Sequence, residues 1–493
     1  MKKLKSIKRI FGVLALAAAV AFTPMTARAE DDVPYDTYNY NYWKDIVKTP
    51  AAYTPDGNVT GQDVGTDAFK EPQDMCISDA GEVYVADTGN NRIVVMDNKM
   101  TKVNRIIDSF MRDGQEDHFS APYGVCVSEN NHLYVADSNN ARIVELTPEG
   151  EFIKLVNEPK SEILEENFVF IPLKVTVDYA DRIYVISKGA FEGILLFESD
   201  GEFSGYFGTI PVKISVWDKF WRRFASKEER SNTQLYIPTE FTGIDVDSGG
   251  FIYASNIDSE GKQAVRRLNP QGKDVIQKGE NGNVGGDIRT AKYGEYGGPS
   301  EIVDVVYRGQ GKYSLLDRKR GRIFTYDKEG NLLYIFGGIG LQKGTFQTPV
   351  AIEAIDDEIL VLDAGRNSIL KFRETNYGVL INDAVGLRYE GDETQAIDKW
   401  QKVLELDQNN ELANNGIGKA YLTSGDNKTA MHYFELGMNK KYYSIAYKRY
   451  RNQILADNLT WILSGIIVLI VALVIWTKWR NKKKGKKREE GLL

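Results

Sequence analysis

Cysteine and histidine are nearly missing from this chain. Its 493 residues carry two cysteines (Cys76, Cys126) and three scattered histidines (His118, His132, His432). With no CxxC and no His cluster, the sequence excludes a disulfide framework and a Cys/His zinc site. Both cysteines fall on expected strands and read as buried free thiols, which behave as small hydrophobes. No P-loop, nucleophile–base pair or metal-ligand motif stands out. Basic charge is scarce in the middle of the chain. Residues 1–29 and 478–493 hold 14 of the 62 Lys and Arg but only Glu489 and Glu490 of the 69 acids. What lies between carries 48 basic against 67 acidic residues, a net of -19. So acidic a middle argues against a broad phosphate-neutralising surface for nucleic acid.

The two ends read as export and anchor. Residues 1–29 have a basic start (Lys2, Lys3, Lys5, Lys8, Arg9), an apolar run Ile10–Phe22 and an A-x-A site at Ala27–Ala29, the pattern of a secretory signal peptide. Residues 459–477 are apolar and uncharged, flanked by Trp461, Trp476 and Trp479, and are long enough for a transmembrane helix. The tail 478–493 carries eight Lys and Arg from Lys478 to Arg488, and positive charge stays cytoplasmic. The expectation is a single-pass cell-membrane protein with its N-terminal side outside and its C-terminus cytoplasmic.

The middle repeats itself. VYVADTGNNRIVVM (Val83–Met96) returns as LYVADSNNARIVEL (Leu133–Leu146), so that Asp87 and Asp137, Arg92 and Arg142, Pro72 and Pro122, Cys76 and Cys126 each stand fifty apart. Period-two alternation broken by an Asp/Asn/Gly loop reads as strand, tight loop, strand. Weaker copies follow from Phe170, Ile237, Gly298 and Phe346. Each holds about four strands, and six four-stranded units close best as a ring of blades, a β-propeller that removes its own sheet edges. The sixth copy stops early near Arg373, and the strand expected at 51–61 is placed to complete it. Residues 30–50, rich in Tyr, Asp and Asn, read as an exposed leader.

The unit P-x-G-(V/I)-x-V-D-x-x-G-x-(I/V)-Y-V-A-D-(S/T)-x-N-x-R-I resembles the NHL repeat, and residues 51–373 resemble a six-bladed NHL propeller. Copies five and six keep Asp317/Arg322 and Asp363/Arg366. Copy three has Ser187 in place of the Asp, and copy four has Asn256. That family includes protein binders, RNA binders and a few metal-dependent enzymes. The recurring Asp and Arg read as blade scaffold, because a ligand site should differ from blade to blade.

Specificity is therefore expected where the copies disagree. Two residues after each Pro stand Asp74, Gly124, Lys174, Glu240, Glu301 and Ala351. If those turns lead into the innermost strands, as the resemblance implies, they ring the mouth of a central channel. Asp74, Lys174, Glu240 and Glu301, with Tyr123 beside them, form the candidate ligand site. Three carboxylates there suit a divalent cation such as calcium, or a polar ligand. A hydrated acidic rim without a ligand is the plainer alternative. A helical insertion at 213–234 places Trp217, Phe220, Trp221 and Phe224 on one stripe, with Arg222 and Arg223 among its basic residues. It suits a lipid surface, a partner protein or the propeller edge.

From Tyr377 the period becomes 34: Gly391 and Gly425, Ala396 and Ala430, Trp400 and Phe434. Residues 377–456 resemble tetratricopeptide (TPR) repeats, with Asp392 and Asp426 as helix N-caps. Such arrays bind proteins through their concave face; a plain stalk is the other reading. The fold class expected is mainly β: a six-bladed NHL-type propeller, a small α-helical TPR-like domain and one transmembrane helix. The function expected is extracellular recognition of a protein, peptide or glycan, with a place as accessory component of a membrane transport complex as what the resemblance implies. The alternative is a metal-dependent lactonase- or esterase-type propeller enzyme working in the channel.

Overall fold

The computed structural model describes residues 33–164, 168–209, 240–258, 261, 263–279, 282–291, 294 and 296–489. The expected signal at 1–29 and the insertion at 213–234 lie outside the described residues. Three strands, β1 (Tyr38–Tyr40), β2 (Ile46–Lys48) and β3 (Tyr53–Thr60), precede the first repeat. Alternating apolar residues then build one antiparallel sheet per repeat. Blade one is β4 (Asp74–Ile77), β5 (Val83–Asp87), β6 (Arg92–Met96) and β7 (Val103–Ile107). A separate hairpin, β8 (Ser109–Arg112) and β9 (Gln115–His118), follows it. Blade two is β10 (Pro122–Val127), β11 (Leu133–Asp137), β12 (Arg142–Leu146) and β13 (Phe152–Val156). Blade three is β14 (Pro172–Val177), β15 (Ile183–Ser187), β16 (Ile194–Phe197) and β17 (Phe203–Phe207). Blade four shows three strands among the described residues, β18 (Phe241–Val246), β19 (Ile252–Asn256) and β20 (Val265–Leu268). Blade five is β21 (Ile302–Tyr307), β22 (Tyr313–Asp317), β23 (Arg322–Tyr326) and β24 (Leu332–Phe336).

Blade six is β25 (Pro349–Ile355), β26 (Glu358–Asp363) and β27 (Ser368–Glu374), and its fourth strand is β3 from the other end of the region. β3 runs antiparallel to β27 from Thr60 opposite Ser368 to Tyr53 opposite Glu374, which closes the ring. The first strands β4, β10, β14, β18, β21 and β25 neighbour one another in succession around a central channel. The core lies between blades, since each neighbouring pair shares one apolar cluster.

The recurring Asp is a scaffold residue in the blades that carry it. Asp87 and Asp137 each accept a backbone N–H from the loop before their own blade's first strand, Lys70 N and Ser120 N, both at 2.7 Å. Arg92 and Arg142 close the same carboxylates at 2.7 and 2.8 Å. In blade three the Ser187 hydroxyl takes over, accepting from Ile171 N at 3.0 Å. Blade five breaks the expected pairing. Arg322 turns away to Asp287, and Arg320 approaches Asp317 at 3.5 Å instead.

Residues 38–48, expected to be an exposed leader, add to blade five. β1 pairs with β24 through Tyr38 opposite Ile335, and β2 pairs with β1. Tyr38 and Tyr40 are buried with their hydroxyls on Asp287, while β2 stays exposed.

Six helices follow: α1 (Asn376–Glu390), α2 (Glu393–Leu406), α3 (Glu411–Ser424), α4 (Asn427–Leu436), α5 (Lys440–Asp457) and α6 (Leu459–Glu489). Side chains of Asp392 and Asp426 cap α2 and α4, and Gly391 and Gly425 end α1 and α3 at φ 91° and 88°, where a left-handed residue is needed. Consecutive helices pack on one another, closely enough that a Cβ at Gly416 would lie 2.3 Å from the Trp400 indole nitrogen. The first three helices share one apolar core with blades five and six, joining Leu380, Ile381 and Ala384 to Tyr334, Phe336 and Phe372. α6 is the one described helix long and apolar enough to cross a membrane.

Candidate functional site

Strand pairing sets which residues share a level of the channel. Pro122, Pro172 and Pro349 stand opposite Asp137, Ser187 and Asp363, and a bulge follows before Gly124, Lys174 and Ala351. In blades four and five the residues in the Pro position are Phe241 and Ile302, opposite Asn256 and Asp317. Pro238 and Pro299 therefore lie three residues too early to set the register. The first level is Asp74, Gly124, Lys174, Gly243, Asp304 and Ala351, with charged residues on blades one, three and five and small ones between. The alternation is steric. A Cβ at Gly124 would lie 2.6 Å from the Leu173 carbonyl oxygen, and one at Gly243 would lie 2.5 Å from an Asp304 carboxylate oxygen.

Lys174 spans this level. Its ammonium sits 2.5 Å from Asp74 and 3.4 Å from Asp304. Backbone N–H groups of the next blades also donate to these carboxylates: Val125 to the other oxygen of Asp74 at 3.0 Å, and Ile352 to the same Oδ2 of Asp304 that faces Lys174, at 2.9 Å. All three side chains are buried. One pleat further in lie Cys76, Cys126, Thr176, Asp245, Val306 and Glu353, with Asp245 accepting from Tyr307 N at 2.6 Å. The channel thus holds four carboxyls against one ammonium, and protein surroundings cannot stabilise all four as anions. Burial pushes Asp304 up to about 7, with Lys174 opposing, and Asp245 up to about 6. Glu353 is raised well above the carboxylate range by burial and by Asp245, Asp304 and Asp74. Lys174 is held protonated: burial works against its charge, but Asp304 and Asp74 outweigh it.

Of the candidate residues, the structure brings Asp74, Lys174 and Tyr123 together. Burial raises the Tyr123 hydroxyl, and the neighbouring charges of Lys174 and Arg318 pull it back. Glu240 and Glu301 do not join that cluster and have other partners. Glu240 accepts from Gly189 N at 2.8 Å, and Glu301 pairs with Lys319 at 3.0 Å and Arg318 at 3.7 Å. Asp304 was missed because the Pro was used to set the register, and Asp245 and Glu353 because they stand one pleat beyond the single level that was read. Counting back from the residue ending the second strand (137 to 124, 187 to 174, 256 to 243, 317 to 304) would have found Asp304. As a metal site the channel fits poorly, because Asp74 and Asp304 are already engaged by Lys174 and by backbone. Among the described residues no group of three or more His, Cys, Asp or Glu is placed to hold a metal ion. Trp217, Phe220, Trp221, Arg222 and Arg223 lie outside the described residues.

A second concavity lies where the helices meet blade five. The turn after β23 inserts Glu329 between α1 and α3, where its carboxylate meets Arg388 at 3.0 Å and Lys419 at 2.5 Å. Burial alone would raise Glu329, yet those two cations hold it down at about 2. Beside this contact a cleft of about 350 Å³ is lined by Asn39–Tyr42, Lys328, Arg388, Trp400, Asn410 and Asn415. Trp400 lines the cleft, and its indole N–H is buried without a hydrogen-bond partner, over Gly416. In the sequence Trp400 stands only as a repeat position paired with Phe434; its unused donor is visible only in three dimensions.

Comparison with known proteins bears on the fold. Residues 69–96 and 119–146 match the NHL repeat. No curated protein sequence matches the chain. Among solved structures, virginiamycin B lyase from Staphylococcus aureus is similar at 14% identity and a TM-score of 0.40, covering 64% of this chain and 98% of that one. A protein of unknown function from Bacteroides thetaiotaomicron aligns at 13% identity and a TM-score of 0.41, covering 66% and 77%. The hydrazine synthase of Kuenenia stuttgartiensis aligns at 10% identity and a TM-score of 0.37, covering 63% and 98%. None of these likenesses carries an activity over to this chain.

Proposed function

We propose that this protein is a membrane-anchored recognition protein whose propeller and TPR-like helices act as one body, binding a protein, peptide or glycan in the cleft between them. The observation that carries the reading is the buried, unpartnered Trp400 donor in the lining of that cleft. A donor left unsatisfied in the free protein costs about 1–3 kcal/mol, which a ligand carbonyl or hydroxyl recovers on binding. Shared core packing fixes both walls of the cleft, so that little order is lost when a ligand enters. The anchor is α6, with the propeller on the outer side because the basic tail 478–493 favours the cytoplasm. A role as accessory subunit of a membrane transport complex is compatible with that arrangement. For the enzyme alternative with a divalent cation in the channel, no donor set supports it as Asp74, Lys174 and Asp304 stand.

The test is crosslinking and affinity capture of the full-length anchored protein, compared with Trp400→Phe. That substitution keeps an aromatic ring, though a smaller one, and removes the N–H. Partners should be lost, while the smaller buried ring should cost only about 1–3 kcal/mol of stability and leave the protein folded. An unchanged partner list would sink the cleft as the site. Loss from Trp221→Ala with Arg223→Ala alone would move it to the insertion. Bound metal and an EDTA-sensitive melting point would revive the enzyme.

A further inference from the structure

α5 continues into α6 with one residue, Asn458, between them, so whatever receives α6 also faces the end of α5. Its sequence, KKYYSIAYKRYRNQILAD, holds five basic residues and one acid, in a region whose overall net is strongly acidic. Only one side of α5 packs on the helices before it. Ala446 is buried, Arg449 donates to the Leu422 carbonyl at 3.2 Å, and Gln453 accepts from Asn427 at 3.4 Å. Helical spacing puts Lys441, Lys448, Arg451 and Leu455 on the opposite side. These are exposed, and so are Tyr447 (49%), Ile454 (42%) and Leu455 (48%).

We infer that this outward stripe of α5 docks on anionic lipid headgroups of the bilayer that α6 enters. The inference rests on the reading of α6 as the anchor. Reach supports it: at ~1.5 Å per residue Arg451 stands roughly 12 Å and Lys448 roughly 16 Å above Leu459. The headgroup layer is about 5–7 Å thick on each side, and the charge of an anionic surface extends about one Debye length, ~8 Å, beyond it. Upright, α5 brings Arg451 into that field. Leaning onto the surface brings Lys448 too and lays Tyr447 and Ile454 at the interface, where such side chains are favoured. Each basic residue near such a surface adds roughly a fivefold preference. Docking would hold the cleft of the recognition body at a fixed height and angle to the membrane.

The experiment is backbone hydrogen exchange on the full-length protein in nanodiscs of phosphatidylcholine alone or with phosphatidylglycerol added. Exchange over 447–455 should slow at least about fivefold with the anionic lipid. It should recover near 1 M salt, where the Debye length falls to ~3 Å. The difference should vanish in Lys448→Gln with Arg451→Gln, whose α1–α4 should exchange as before. Equal rates in the two lipids would overturn the inference and leave the stripe to a protein partner. Slowing that survives the double substitution would overturn it as well. A chain that never enters nanodiscs would instead fail the anchor reading, a distinct outcome seen before any exchange is measured.

Discussion

Two buried charge clusters in this molecule are built to opposite rules. At the junction of propeller and helices, charges are matched: Glu329 lies between Arg388 and Lys419, and Arg308 meets Glu374 at 3.3 Å with Tyr334 and Asn382 completing the network. In the channel four carboxyls share one ammonium. Matched charges depress the carboxylate, as Glu329 at about 2 shows, so its stabilisation is present above its unfolded value and lost as pH falls toward 2. Unmatched carboxyls are raised. Asp245 and Asp304 favour the folded state below their unfolded value, and that advantage is lost as pH rises through about 6 and about 7. One cluster joins two parts of the molecule, and the other should make the stability of the ring depend on pH near neutrality.

The largest expected effect comes from unbalancing the matched cluster. Arg308→Ala strands Glu374 among Tyr53, Asn382 and apolar core, and should cost about 3–5 kcal/mol in urea unfolding. Arg308→Lys should recover part of it. A loss below about 1 kcal/mol would mean that the junction is held by its apolar core alone.

The channel should answer with a smaller, pH-dependent change. Lys174→Met removes its only ammonium and should cost about 3 kcal/mol near pH 8. The cost should be much less near pH 5, because the stranded carboxyls can take up protons. Glu353→Gln is the converse: it relieves repulsion and should leave stability equal to or above wild type at alkaline pH. If Lys174→Met costs the same at both pH values, Asp304 and Glu353 are ionised throughout, and the contrast between the two clusters fails.

How much of this was legible follows the same contrast. The ring, its closure by residues 53–60 and the caps at Asp392 and Asp426 are written in local patterns, period two for strands and 34 for helix pairs. The scaffold role of Asp87 and Asp137 was legible because it recurs. Channel composition was legible only where the Pro keeps its place. In blades four and five Phe241 and Ile302 replace it, and a three-residue error hid Asp304 behind Glu301, while Asp245 and Glu353 stand one pleat beyond the level that was read. Glu329 and Trp400 could not be read at all. Each acquires its role from a segment far away in sequence, for which no periodicity speaks.

The leader offers the finest test of whether matched burial or mere coverage holds a peripheral segment. Tyr38 and Tyr40 reach Asp287, which also receives Arg322, so two hydroxyls and a guanidinium converge on one buried carboxylate. If those bonds hold β1 on β24, Tyr38→Phe with Tyr40→Phe should cost about 1.5 kcal/mol per bond locally. The cost should appear as faster protease cleavage at 41–45 with the global unfolding midpoint nearly unchanged, because Arg322 still neutralises Asp287 and both rings stay packed. Cleavage at the wild-type rate would show that ring burial and the β1–β24 pairing suffice. A large drop in the global midpoint would make the leader part of the ring's own core, as tightly held as the Arg308 network.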